Sequence, residues 1–183
     1  GNRLAVHCGS AEFNIVTLAA DEYPPTPTRD EQARMRVPGS GLRRIIEETL
    51  FSVSADDNRY GLNGAHIEEI TTDEGEARIR LVTTDGSRLS WAESVFEGAF
   101  GMGRRMLVPR KALDQVRRLS DNDEETWDVA FGERSASFAT ETLTLLVGLV
   151  DGEFPDYRKV MPAGHTRRVV LPRGRFSDEL RRV

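Results

Sequence analysis

The segment Leu149-Val-Asp-Gly-Glu-Phe-Pro-Asp-Tyr-Arg-Lys-Val-Met-Pro162 decides how the chain is divided. It follows the apolar, strand-like run 143–148 and opens with the turn pair Asp151-Gly152. Because a residue before a proline is biased toward extended geometry, Phe154-Pro155 predicts that the chain leaves a sheet here as ordered coil. A weaker copy, Leu18-Ala-Ala-Asp-Glu-Tyr-Pro24, shares the pattern Leu-x-x-x-Glu-aromatic-Pro, and the two prolines are 131 residues apart.

Three prolines provide a second marker of the same spacing. Each follows Val or Leu and is followed four positions later by Leu or Phe, in the pairs Pro38 and Leu42, Pro109 and Leu113, and Pro172 and Phe176. Because proline fits the first turn of a helix, where its missing N–H is not needed, each pair predicts the start of an amphipathic helix. The first and third prolines are 134 residues apart, so both markers indicate a repeat of about 130 residues with two halves.

The repeat predicts three domains. Residues 1–30 would be the C-terminal end of one unit and its proline-rich linker, residues 31–162 a complete unit, and residues 163–183 the beginning of a third. In the complete unit each predicted helix is followed by three strand-like patterns. Helices are predicted over 42–53 and 109–119, strands over 65–70, 77–83, 88–96, 126–131, 136–140 and 143–147, and an earlier hairpin over 3–8 and 13–18. The expected fold class is α+β, with two helix-plus-antiparallel-sheet halves in a pseudo-twofold repeat.

Composition excludes several classes of protein. The chain has 183 residues, 38% hydrophobic and 30% charged, which is typical of a soluble globular protein. It has no run of 18 apolar residues, so neither a membrane span nor a membrane partner is expected. The single cysteine, Cys8, excludes an intramolecular disulfide and fits a reducing, cytoplasmic location. A net charge of −5 does not exclude nucleic acid, because basic residues can be gathered on one face.

The polar face of the second predicted helix is basic. Four positive side chains stand against one carboxylate among Arg110, Lys111, Asp114, Gln115, Arg117 and Arg118. Basic side chains on the outer face of repeated helices can neutralise phosphates without reading base sequence. An ordinary solvated face has the same composition. The first helix favours this alternative, since residues 43–48 balance two arginines with two glutamates.

Three turn-rich segments, 59–64, 84–89 and 154–160, mix apolar and basic residues. If they converge, they form a shallow apolar wall with a basic rim, made of Leu62, Leu89, Pro155 and Val160 with Arg88 and Lys159. Such a pocket suits a hydrophobic peptide with an acidic or polar flank. The alternative is that all three segments are ordinary turns, and the sequence alone leaves both interpretations open.

A catalytic site has weaker support. Asp85, Asp151 and Asp156 could form the carboxylate cluster of a small metal-dependent enzyme, which is the alternative function. Two of these residues lie beside Gly in turns, which explains them without catalysis. The three histidines are isolated and no compact acid–base pair is present. We therefore expect no catalytic residue, no metal ligand and no cofactor.

Four motifs follow one another along the chain: Arg59-Tyr60-x-Leu62-Asn63-Gly64, Thr84-Asp85-Gly86-x-Arg88-Leu89, Val108-Pro109-Arg110-Lys111 and Leu149-Val-Asp-Gly-x-Phe-Pro-Asp-Tyr-Arg158. In this order they resemble the bacterial DNA polymerase III β subunit family, the sliding clamps. The resemblance covers almost the whole chain: the end of the first clamp domain, the complete central domain and the beginning of the third. It implies the DNA-clamp fold, with sheets outside and helices lining a pore for duplex DNA. It also implies a processivity factor for DNA replication, not an enzyme.

The resemblance assigns residues to two sites. DNA contacts are implied for Arg59, Tyr60, Arg110, Lys111, Arg117 and Arg118. A partner-peptide pocket carries over onto Leu62, Thr84, Gly86, Ser87, Arg88, Leu89, Pro155, Lys159 and Val160. The sequence departs from the family at two positions, since Ser87 stands where many members carry His and Gly61 where a larger side chain is common. Both departures would alter the pocket rim or the neighbouring DNA-contact loop.

The resemblance also implies partners. They are duplex DNA, the DNA polymerase III catalytic subunit, the clamp loader and other proteins that carry a clamp-binding motif. The full-length protein is expected to form a homodimeric ring of three-domain subunits. The chain by itself is expected to be monomeric and to bind partner peptides weakly, because the part of the pocket wall that the end of the third domain supplies is missing.

Overall fold

The computed structural model describes residues 3–19, 22, 33–56, 61–99, 106–122, 124–162, 164 and 166–182. The chain divides into two compact units, Gly1–Glu153 and Phe154–Val183, which are described separately. The described residues form eleven strands and three helices: β1 (Arg3–Cys8), β2 (Ala11–Val16), β3 (Ala33–Pro38), α1 (Gly39–Glu47), β4 (Gly64–Thr71), β5 (Ala77–Thr84), β6 (Leu89–Val95), β7 (Glu97–Ala99), β8 (Met106–Pro109), α2 (Arg110–Leu119), β9 (Thr126–Phe131), β10 (Ser135–Ala139), β11 (Thr144–Gly148) and α3 (Arg173–Leu180). Because every strand pairing is antiparallel, the predicted α+β class is confirmed.

The predicted N-terminal hairpin is present, with a shorter turn than expected. Strands β1 and β2 pair from Arg3 opposite Val16 to Cys8 opposite Ala11, so only residues 9 and 10 form the turn. Gly9 has φ of 61°, which a two-residue hairpin turn requires and glycine adopts without strain. The second strand therefore covers residues 11–16 and not 13–18.

Each of the first two helices begins directly after a proline that ends a strand. Pro38 and Pro109 have ψ of 135° and 143°, so they are extended and precede the first helical residue. The first helix begins at Gly39 and ends at Glu47, so the predicted range 42–53 was wrong at both ends. The chain continues as a 3₁₀ turn over Leu50–Ser52. The hydroxyl of Thr49 donates to the Ile45 carbonyl at 2.6 Å, a bond that competes with continued helix.

The two halves of the first unit exchange their first strands. One sheet has the order β11-β10-β9-β3-β7 and the other β6-β5-β4-β8. Strand β3 therefore begins the first half and pairs with β9 of the second, while β8 begins the second half and pairs with β4 of the first. The first residues of the two helices repeat this relation. The Gly39 N–H donates to the Glu125 carbonyl at 2.7 Å, and the Arg110 backbone N–H donates to the Asn63 carbonyl at 3.2 Å. This reciprocal pairing is the structural form of the predicted pseudo-twofold repeat.

Helices α1 and α2 pack together against the two sheets of the first unit and share one core with them. Helix α1 contacts α2, β3 and β6, and α2 contacts β8. The largest fully buried side chains include Trp127, Phe131, Phe138, Ile45 and Leu113. Truncating a buried Leu such as Leu113 to Ala would cost about 3 kcal/mol, because the transfer free energy is lost and a cavity remains. This core fixes which face of each helix remains in solvent.

The second unit contains a 3₁₀ turn over Tyr157–Lys159 and helix α3, which begins after Pro172 as predicted. Residues 149–156, on either side of the unit boundary, form no helix or strand, which confirms the predicted ordered coil. In the glycine-rich stretch 98–103, Gly98 and Ala99 lie in β7, and residues 100–103 lie outside the described residues. No helix in the described part of the chain has the length and apolar character needed to cross a bilayer.

Candidate functional site

Helix α2 presents a basic face to solvent. Leu113 and Val116 point into the core, so Arg110, Lys111 and Arg118 are held on the exposed side. Asp114 lies among them. Its carboxylate accepts a hydrogen bond from Arg117 at 2.9 Å and forms an ion pair with Arg118 at 2.8 Å. The hydrogen bond from Arg117, with the charge of Arg118, holds the pKa of Asp114 below its ordinary value of 3.8. Asp114 is therefore ionised at neutral pH and offsets part of the positive charge.

Helix α1 neutralises itself. Arg43 pairs with Glu47 at 3.1 Å, and Arg44 pairs with Glu48 at 3.0 Å, both at the i,i+4 spacing. In contrast, Arg110 and Lys111 at the start of α2 form no ion pair with any other described residue. The unbalanced positive charge of the helix pair is therefore concentrated at the N-terminal end of α2.

A cleft of about 750 Å³ opens at this end of α2. Its lining is mixed polar and apolar and includes Leu50, Ser54, Asn63, Arg110, Lys111 and Arg118. Of these, Leu50, Ser54 and Asn63 were not assigned to a site from sequence, although Asn63 lies in one of the quoted motifs. Arg59 and Tyr60, which were predicted to contact DNA, lie outside the described residues. The cleft brings basic and hydrogen-bonding groups together with the Asp114 carboxylate.

The β5–β6 turn, together with Thr84 and Leu89 on either side of it, contains five of the nine predicted peptide-binding residues and is tightly hydrogen-bonded. The Thr84 hydroxyl donates to the Arg88 carbonyl at 2.7 Å. Asp85 accepts the backbone N–H groups of Ser87 at 2.9 Å and Arg88 at 3.1 Å. Gly86 has φ of 92°, which a residue with a side chain rarely adopts. The turn is thus a preformed surface.

The carboxylate of Asp85 is used by this turn. The backbone N–H groups of Ser87 and Arg88, with the Arg88 guanidinium, lower its pKa below 3.8. Asp151, by contrast, is exposed. No group of three or more His, Cys, Asp or Glu residues within the described ranges is placed to hold a metal ion. The predicted alternative, a metal site at Asp85, Asp151 and Asp156, therefore has no support from the described geometry.

The segment 49–54 connects the β5–β6 hairpin to Leu62. The Thr83 hydroxyl donates to the Thr49 carbonyl at 2.7 Å. The hydroxyls of Ser52 and Ser90 share a hydrogen bond of 2.7 Å. Beyond them, the Ser54 N–H donates to the Leu62 carbonyl at 3.0 Å. Two of the three predicted peptide-binding segments are therefore held to the same short stretch of chain.

Phe51, in the middle of that stretch, was missed by sequence reasoning. Its side chain is 58% exposed, and the Arg88 guanidinium carbon lies 5.9 Å from its ring centre. The helical periodicity of the sequence could have indicated that Phe51 is exposed. Phe51 falls outside the apolar stripe formed by Leu42, Ile45, Ile46, Thr49, Leu50 and Val53, so burial was not required of it.

The remaining predicted pocket residues belong to the second unit. Pro155, Lys159 and Val160 are all exposed there. The Lys159 ammonium lies 3.3 Å from a carboxylate oxygen of Asp156. Their assignment to a peptide pocket stays a prediction.

Comparisons with known proteins agree on one family. The family described as "DNA polymerase III beta subunit, central domain" matches residues 36–156. The beta sliding clamp of Caulobacter vibrioides is 33% identical over 182 residues, covering 99% of this chain and 48% of the relative. That of Proteus mirabilis is 33% identical over 171 residues, covering 93% and 45%. The chain thus spans about half the length of the curated relatives it matches.

Solved structures show the same similarity. Caulobacter crescentus pol III beta superposes with a TM-score of 0.89 at 33% identity, covering 99% of this chain and 49% of that one. The Pseudomonas aeruginosa DnaN sliding clamp bound to griselimycin superposes with a TM-score of 0.86 at 29% identity, covering 100% and 48%.

Proposed function

This chain belongs to the DNA polymerase III beta subunit family of sliding clamps, and we propose that it contributes to a ring that encircles duplex DNA and docks replication proteins. Residues 31–162 are its central clamp domain. Residues 1–30 are the end of the first domain, and residues 163–183 the beginning of the third. The full-length protein forms a homodimeric ring and acts as a processivity factor without catalysis.

The DNA-facing surface is the exposed side of the helix pair, and α2 makes the main contribution. The observation that supports this proposal is the charge difference between the helices: α1 pairs its arginines internally, whereas Arg110 and Lys111 on α2 form no ion pair with described residues. Exposed basic side chains bind phosphates without sequence preference, and such binding weakens with salt. A clamp held on DNA by its closed ring needs only this weak, mobile contact. Arg59, Tyr60, Arg117 and Arg118 complete the proposed set of DNA contacts.

The partner-docking surface is formed in the first unit by Leu62, Thr84, Gly86, Ser87, Arg88 and Leu89. Support comes from the preformed β5–β6 turn and from its connection to Leu62 through segment 49–54. Apolar side chains with a nearby guanidinium suit an extended peptide that carries apolar and acidic residues. Pro155, Lys159 and Val160 remain part of the proposed pocket on the strength of the family resemblance. The proposed partners are the DNA polymerase III catalytic subunit, the clamp loader and other proteins with a clamp-binding motif.

The docking proposal is tested by fluorescence anisotropy with a labelled peptide that carries a polymerase-type clamp-binding motif. Saturable binding is expected, and Leu89→Asp or Pro155→Ala should weaken it. Leu89→Asp places a charge on the apolar wall, so it should have the larger effect. Saturable binding that neither substitution changes would contradict the assigned surface. Because a Pseudomonas aeruginosa relative was solved with griselimycin bound, griselimycin is a second probe for this chain.

A further inference from the structure

Phe51 lies on a turn whose backbone is anchored, and its side chain is exposed to solvent. Its neighbours Thr49 and Ser52 are 0% exposed, whereas Phe51 itself is 58% exposed. The backbone around it is anchored by the Thr83–Thr49 bond, the Ser52–Ser90 bond and the Val53 N–H donating to Leu50 at 3.3 Å. Exposing an apolar ring on an anchored turn gives up the free energy of its burial. Packing in the core therefore does not account for the position of this ring.

The ring of Phe51 lies against a charged group of the docking surface. The Arg88 guanidinium carbon is 5.9 Å from the ring centre, within the range of a cation–π contact. Arg88 also donates from Nε to the Asp85 carboxylate at 2.9 Å. The Asp85 carboxylate and the Phe51 ring therefore both contact the Arg88 guanidinium and restrict its movement.

Arg88 retains the capacity to bind a second carboxylate. A guanidinium has five N–H donors, and the bond to Asp85 uses the one on Nε. The Asp85 carboxylate also accepts two backbone N–H groups, so it is already occupied by the turn. A carboxylate from outside the chain would gain charge-assisted hydrogen bonds from a guanidinium that is already oriented.

We propose that Phe51 is a positioning residue of the partner-docking surface: its ring holds the Arg88 guanidinium for a carboxylate of the docked peptide. The inference rests on the proposed function and names the partner chemistry, an extended peptide with an acidic side chain beside its apolar residues.

The test compares two labelled peptides, a clamp-binding peptide with Asp beside its apolar residues and the same peptide with Asn. Phe51→Leu should weaken binding of the Asp peptide about two- to fivefold, the range for an exposed cation–π contact, and leave the Asn peptide nearly unchanged. Phe51→Tyr keeps the aromatic face and should bind both peptides as the unsubstituted chain does. Arg88→Lys keeps the charge without the planar face and should reproduce the selective loss.

Two results would overturn this inference. One is that Phe51→Leu and Arg88→Lys bind the Asp peptide as tightly as the unsubstituted chain; the other is that Phe51→Leu weakens both peptides equally. Leu89→Asp separates this failure from failure of the proposed function. If Leu89→Asp weakens binding while Phe51→Leu does not, only the role of Phe51 is wrong. If neither matters, the docking surface itself is wrongly placed.

Discussion

The carbonyl oxygen of Glu153 occupies the space into which a side chain at Gly61 would project: a Cβ there would lie 2.5 Å from this oxygen. Gly61 also has φ of 88°, in the left-handed region. The residue therefore meets two conditions that only glycine satisfies without strain. This contact joins the loop before β4 to the segment that leaves β11, and it explains why this chain has glycine at position 61.

Gly61→Ala is expected to destabilise the chain by about 2 kcal/mol or more, because the left-handed backbone and the Glu153 carbonyl both resist a Cβ. The matched control is Gly75→Ala, where φ is 83° but nothing lies within 4 Å of the added atom. Urea unfolding of both variants would isolate the contribution of the Glu153 contact. Equal losses of unfolding free energy in the two variants would show that the Glu153 carbonyl adds nothing to the cost of a Cβ at position 61.

Lys111→Ala is expected to weaken binding to a short duplex uniformly across sequences and to reduce the salt dependence, with the slope of log K against log salt falling by about 1. Arg110→Ala should behave likewise, because both side chains form no ion pair within the described ranges. Fluorescence anisotropy at several salt concentrations measures both effects.

The control for this experiment removes a complete ion pair from α1. In the double variant Arg43→Gln/Glu47→Gln both partners of the 3.1 Å pair are lost, so the net charge is unchanged. Duplex affinity should then stay within about twofold of the unsubstituted chain, because the net charge is unchanged and the two side chains were already paired with each other. A loss as large as that of Lys111→Ala would show that α1 contacts DNA as much as α2 does.

Asp128 should contribute to the loss of unfolding free energy as the pH is lowered. Its hydrogen bond from Arg34, with a further contribution from Arg36, lowers its pKa below 3.8 in the folded chain. The stabilisation is therefore present above the ordinary pKa and is lost as pH falls through the lowered one. Asp128→Asn should reduce the unfolding free energy by about 1 kcal/mol or less at pH 7, and the difference should vanish near pH 2. Urea unfolding across this range would contradict the assignment if the difference grew toward acid.

Magnesium and manganese are expected to leave the melting temperature unchanged, because no group of three or more His, Cys, Asp or Glu residues within the described ranges is placed to hold a metal ion. A cation that bound only the folded state would raise the melting temperature. Differential scanning fluorimetry with each metal at millimolar concentration measures this directly. A saturable rise that disappears in Asp85→Asn or Asp151→Asn would instead favour the metal-dependent alternative.

Local patterns in the sequence predict most of the elements. The spacing of Pro38 and Pro109 locates both helices, since a proline that ends a strand also precedes the first helical residue. The 71-residue offset between these prolines persists in the structure: Thr49 and Ser120 are both fully buried, and both hydroxyls donate to the carbonyl four residues earlier. These features depend on neighbours in sequence, so periodicity and residue type are enough to find them.

Long-range pairings are the part that the sequence does not predict. Nothing in residues 33–38 shows that this strand pairs with β9, about ninety residues later in the chain, because a short alternating run fits many partners. The same holds for Gly61, whose need for glycine comes from the distant Glu153 carbonyl. Phe51 shows a third case, in which periodicity excludes a residue from the core but does not indicate what its side chain contacts.

The most direct test of the sliding-clamp function proposed for this chain is a two-dimensional NMR titration of the ¹⁵N-labelled chain with an unlabelled polymerase-type clamp-binding peptide. The largest amide shifts are expected at Leu62 and at Gly86, Ser87, Arg88 and Leu89, which form the docking surface in the first unit. Shifts confined to the opposite sheet, at Thr126, Asp128 and Thr140, or no saturable shifts at millimolar peptide, would contradict it.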